Sequence, residues 1–71
     1  MSTESKVGTR IRTYRERLGM SVSALAEKSG IDEAVIDSIE KGLVMPALGV
    51  LTKVSRSLGQ RLGTFTDDQF K

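Results

Sequence analysis

The stretch VSALAEKSGIDEAVIDSIEK, Val22 to Lys41, carries most of the information in this 71-residue chain. Its first half places Val22, Leu25 and Ala26 on one helical face, behind a Ser21 hydroxyl suited to cap the helix N-terminus. That helix is short and stops near Ser29-Gly30. Asp32 caps the next helix, which turns Ile36 and Ile39 inward and ends at Lys41-Gly42. Two helices joined by so short a turn can cross steeply only where no bulky side chain keeps them apart. Ala26 supplies the small residue, and Gly30, four positions on, supplies the positive φ of a tight turn. Leu25, Ile31, Ile36 and Ile39 then close the angle between the rods. This spacing is that of a helix-turn-helix.

The flanking sequence extends the same pattern. Upstream, Val7, Ile11 and Leu18, with Tyr14 between them, form a one-sided stripe that predicts a first helix ending at Gly19. Downstream, a loop over Leu43 to Met45 leads to Pro46, a residue suited to the first turn of a fourth helix. Leu48, Leu51, Val54 and Leu58 are its expected buried stripe, and Gly59 closes it. A last short turn or helix carries Leu62 and Phe65, and Phe70 and Lys71 are expected to fray. No run alternates apolar and polar residues, so no strand is expected. The predicted fold is all-α, a compact bundle of four to five short helices containing the helix-turn-helix. Residues 1–6 are expected to be a flexible N-terminus, 7–62 the folded domain, and 63–71 a tail or the start of a linker.

Composition narrows the chemistry. The chain has neither cysteine nor histidine, which removes disulfides, thiolate metal sites, the usual zinc constellations and every histidine-assisted nucleophile. A bundle this small also offers little room for a substrate pocket, so an enzyme is not expected. No cofactor or metal is expected either; Asp67-Asp68 reads as solvated charge rather than a paired-carboxylate site. No stretch is apolar enough to cross a membrane, and the polar start of the chain lacks the apolar core of a signal peptide. These features point to the cytoplasm.

Charge is unevenly spread. The net charge is +2, yet residues 31–45 set Lys41 against Asp32, Glu33, Asp37 and Glu40. Lys6, Arg10, Arg12, Arg15, Arg17 and Lys28 make the preceding segment basic. An acidic island therefore lies between basic flanks.

From Ile11 to about Leu62 the sequence resembles the XRE class of helix-turn-helix domains, related to phage repressors and Cro proteins. The matching stretches are Ile11-Arg12-x-x-Arg15-x-x-Leu18-Gly19, Leu25-Ala26-x-x-Ser29-Gly30 and Ile36-x-x-Ile39-Glu40-Lys41-Gly42. Pro46 and Leu51-x-x-Val54-x-x-x-Leu58-Gly59 complete the pattern. The resemblance implies a five-helix, lambda-repressor-like DNA-binding domain that acts as a homodimer in transcriptional regulation. It also implies an interhelical ion pair between Arg15 and Glu40, placed where an unpaired charge is costly.

A helix-turn-helix inserts the N-terminal part of its second helix into the major groove. Here the outward face of that helix is Glu33, Ala34, Asp37 and Ser38. Glu33 and Asp37 suit cytosine amino groups, Ser38 suits any base, and Ala34 suits a thymine methyl. Both carboxylates also face a wall of phosphates that repels them. The resemblance implies backbone contacts from Ser21 and Ser23, at the positive end of the preceding helix, and from Lys41.

The expected partners are double-stranded DNA and a second copy of the chain, with Leu62, Phe65 and Phe70 as candidate interface residues. The exit Leu58 to Asp68 resembles that of regulators continuing into a cupin sensor domain. The alternative function is a protein-interaction or antitoxin-like module of the same fold, its acidic helix docked on a basic partner.

Overall fold

The computed structural model describes residues 3–66. Five helices follow one another: α1 (Thr3–Arg17), α2 (Val22–Ser29), α3 (Glu33–Glu40), α4 (Leu48–Ser57) and α5 (Gly63–Thr66). α1 packs on α3 and α5, and α2 packs on α3 and α4. The described residues contain no strand. The all-α helix-turn-helix bundle read from the sequence is the fold observed.

The local signals at the elbow act through identifiable hydrogen bonds. Ser21 is extended and its Oγ accepts the Ala24 amide at 3.0 Å, satisfying an otherwise orphaned donor of α2. Gly30 takes φ of 74°, and its amide donates to the Ala26 carbonyl at 2.9 Å. The Ile31 amide is held by Ser29 Oγ at 3.2 Å. Asp32 Oδ1 then accepts the Ala34 amide at 3.0 Å and starts α3. The elbow is thus stitched from both sides. Ile31 and Ala26 pack against the core beneath it.

The core is formed by Val7 and Ile11 of α1, Leu25 of α2, Ile36 and Ile39 of α3, Leu51 and Val54 of α4, with Leu58 and Phe65. Two buried hydroxyls on α4 are satisfied within the helix: Ser55 donates to the Leu51 carbonyl and Ser57 to that of Lys53. Among the described residues no buried side-chain polar atom lacks a partner.

Leu18 lies beyond the last residue of α1 and is 54% exposed, because the chain has already turned toward α2. Pro46 precedes the N-cap Ala47 and so stands outside the first turn of α4. Leu48 shares a face with Leu51 but is 68% exposed, since the first turn of α4 overhangs the edge of the core. Phe65, expected as an exposed interface residue, is fully buried. It meets Tyr14 edge-on, with ring centroids 5.6 Å apart. Leu62 also packs against the core, and Phe70 lies outside the described residues. The folded domain therefore exceeds 7–62 at both ends: residues 3–6 form the first turn of α1, and residues 63–66 form α5. Asp67-Asp68 lies outside the described residues.

One packing contact left no trace in the apolar pattern. Gly8, in the middle of α1, faces the end of α3 so closely that a Cβ there would run into the Ile39 carbonyl oxygen. It would also stand 3.0 Å from that of Glu40. Backbone meets backbone at this point, and only glycine allows it.

Candidate nucleic-acid interface

Close approach at Gly8 brings the C-terminal end of α3 against α1, where the charged part of the packing is found. Arg15 Nε donates to Glu40 Oε2 at 2.7 Å and Nη2 donates to Oε1 at 2.9 Å, a two-pronged contact. Nη1 of the same guanidinium donates to the Met20 carbonyl at 2.7 Å. Both side chains are largely buried, 11% and 7% exposed. The hydrogen bonds to Glu40 raise the Arg15 pKa above its ordinary value, outweighing the opposing effect of burial. One arginine thereby fixes the end of α3 and the entry to α2 relative to α1.

With its apolar side and its C-terminal end anchored, α3 presents the opposite side to solvent. Glu33, Ala34, Asp37 and Lys41 are exposed and Ser38 is half-buried. Ala34, Asp37, Ser38 and Lys41 stand at i, i+3, i+4 and i+7, so they share one stripe. Asp37 Oδ2 and Lys41 Nζ are 2.9 Å apart within it. Glu33 stands at the edge of this stripe, at the first position of the helix. Val35 is 40% exposed on α3, a residue absent from the outward set read from the sequence. Helical periodicity could have located it, since it falls outside the arc occupied by Ile36 and Ile39.

The other sequence-derived positions lie around this helix. Ser21 and Ser23 are exposed at the start of α2. Ser21 Oγ accepts from Ala24 and retains its own proton for donation. A shallow cleft lined by Arg12, Arg15, Val22, Asp37, Glu40 and Lys41 runs between α1, α2 and α3. Arg12 is also paired with Glu16 at 3.6 Å. The Arg17 guanidinium lies over the Tyr14 ring at 5.3 Å, and Arg10 Nη1 reaches the Phe65 carbonyl at 3.4 Å. Much of the basic character of α1 therefore serves its own fold.

A capped, short-turned pair of helices, with the second one solvent-facing and anchored at its end, defines a helix-turn-helix domain. The chain belongs to the HTH_3 helix-turn-helix family, whose pattern matches residues 11–65. It is 39% identical over 64 residues to the HTH-type transcriptional regulator SinR of Bacillus subtilis, an alignment covering 89% of this chain and 58% of SinR. The chain thus spans little more than half of that relative. A crystal structure of SinR, a master regulator for biofilm formation, in complex with DNA superposes with a TM-score of 0.83. The identity there is 40%, over 86% of this chain and 98% of that one. The restriction-modification controller protein C.AhdI from Aeromonas hydrophila gives a TM-score of 0.84 at 27% identity, covering 87% of this chain and 94% of that one. Among the described residues no helix is long and apolar enough to cross a membrane.

Proposed function

We propose that this chain binds duplex DNA as the reading head of a transcriptional regulator, with α3 in the major groove and a second copy on an adjoining half-site. The observation that carries this reading is the anchored, solvent-facing α3 behind the Gly30 elbow, in a fold shared with a relative crystallised on DNA. Glu33, Ala34, Asp37 and Ser38 face the base edges in this arrangement. Ser21 and Ser23 approach a backbone phosphate, aided by the free amides at the start of α2. Lys41 adds the cation of the same face. Dimerisation is supported by the two-fold logic of helix-turn-helix operators, in which half-sites lie about one helical turn apart. The chain works in the cytoplasm, where such a regulator meets its DNA.

The test is fluorescence anisotropy of a labelled duplex titrated with the chain at several salt concentrations. Affinity should fall linearly in a log–log plot, with a slope of roughly −0.9 for each phosphate contacted. Absence of binding at low salt would remove the reading.

A second reading is favoured by one observation, the two exposed carboxylates Glu33 and Asp37 on the presented helix. In it, α3 docks on a basic protein partner instead of a duplex. The same titration separates the two, because only the first gives a duplex signal.

A further inference from the structure

The exposed stripe of α3 contains an arrangement more specific than an acidic face. Asp37 and Lys41 form an ion pair of 2.9 Å one helical turn apart, with their side chains 52% and 62% exposed. Ala34 lies next to them on the same stripe and ends at a methyl group, so nothing long stands between the pair and an approaching surface. The pair therefore offers an acceptor and a cation side by side, with no net charge to be repelled by phosphates. Glu33 has no such compensation among the described residues.

Base pairs present a matching pattern in the major groove. In a C·G pair the cytosine N4 amino group donates to guanine O6, so a donor and an acceptor are adjacent at about 2.9 Å, the usual N–H···O spacing. Guanine N7 is a second acceptor beside O6. A carboxylate laid against N4, with an ammonium across O6 and N7, satisfies all three groups. An A·T pair also has an adjacent donor and acceptor, N6 and O4, but it fits this pair less well. There the ammonium finds one acceptor beside a methyl group, and adenine N7 places a lone pair next to the carboxylate.

We propose that Asp37 and Lys41 act together as the reader of a single C·G base pair, Asp37 on cytosine N4 and Lys41 on guanine O6 and N7. This rests on the DNA-binding reading above and gives Lys41 a base edge in place of a backbone phosphate. The pair explains how a helix lacking arginine and glutamine can still discriminate. It makes orientation part of the code, because the acceptor lies nearer the start of α3 and the donor nearer its end.

The experiment is a selection of bound duplexes from a random pool, read by sequencing, using the purified chain and two variants. These are D37N and the exchanged double variant D37K with K41D, both at exposed positions and both checked against the unaltered chain by circular dichroism. The unaltered chain should enrich one fixed C·G pair per half-site, roughly ten- to hundredfold over other pairs at that position. D37N should move that position toward A·T, since asparagine pairs with adenine N6 and N7. The exchanged variant should reverse the pair to G·C, an inversion that loss of a merely stabilising ion pair does not produce. An unchanged preference in both variants, or binding by the unaltered chain without any fixed pair, overturns the inference and leaves the DNA-binding reading standing. Absence of any bound duplex at low salt overturns both.

Discussion

Arg15 and Glu40, twenty-five residues apart, meet through two parallel hydrogen bonds of 2.7 and 2.9 Å, both side chains largely buried. Glu40 is the last residue of α3 and Arg15 sits near the end of α1. Their contact therefore sets how far the presented helix projects from the body of the domain. Replacing Glu40 with alanine leaves a guanidinium buried with one carbonyl partner, and loss of one member of a buried pair costs about 3–5 kcal/mol. In a domain this small that is comparable with its whole stability. Urea or thermal unfolding of Glu40→Ala should show a collapse of the transition toward ambient temperature. A midpoint close to that of the unaltered chain contradicts the burial of the pair.

Gly8 and Gly49 make a paired prediction with opposite signs. Both lie in helices, where alanine is intrinsically better than glycine by about 1 kcal/mol. At Gly8 the added methyl meets the carbonyls of Ile39 and Glu40, and backbone cannot step aside cheaply. Gly8→Ala should destabilise by about 1–3 kcal/mol, as overpacking does, and should displace α3. At Gly49 nothing lies within 4 Å of the new Cβ, so Gly49→Ala should stabilise by about 0.4–1 kcal/mol. Chemical denaturation of the two variants checks both signs.

Phe65 fastens the four-residue α5 to α1 through the Tyr14 ring and the core. Phe65→Ala should cost about 3–5 kcal/mol, typical of a deleted core aromatic. Hydrogen exchange should show α5 losing its protection first. Near-native stability would mean that the C-terminal turn is dispensable to the fold.

Glu33 stands exposed on the presented helix with no ion pair among the described residues. On the DNA-binding reading its charge opposes the phosphates, so Glu33→Gln should strengthen binding to unrelated duplexes severalfold at low salt. That gain should shrink as salt screens the interaction. Weaker binding of the variant to these unrelated duplexes would contradict the repulsion, because sequence-independent binding reports charge and not base contacts. The anisotropy titration measures either outcome.

Much of this molecule is legible in its sequence because its decisive signals are local. Ser21, Gly30 and Asp32 act within three or four residues, so cap, turn and cap can be read in order. Ile36 and Ile39 fix the buried side of α3, and with it the exposed stripe. The Arg15–Glu40 contact is long-range and became visible only through a family resemblance. Three other features escaped for physical reasons. Periodicity reveals the face of a helix but not where the core beneath it ends, so Leu18 and Leu48 read as inward and lie outside. A helix of four residues is too short to show a period, so no pattern marks Phe65 as buried. The Gly8 contact joins two backbones, and no hydrophobic pattern records it.

On the DNA-binding reading, the exposed stripe of α3 and the start of α2 form the surface that meets the duplex. An amide NMR titration of the labelled chain with a duplex at low salt maps that surface residue by residue. Shifts should concentrate at residues 21–23 and 33–41, with the outer face of α4 unmoved. Shifts confined to α4 and α5, or a spectrum unchanged by the duplex, would contradict that reading.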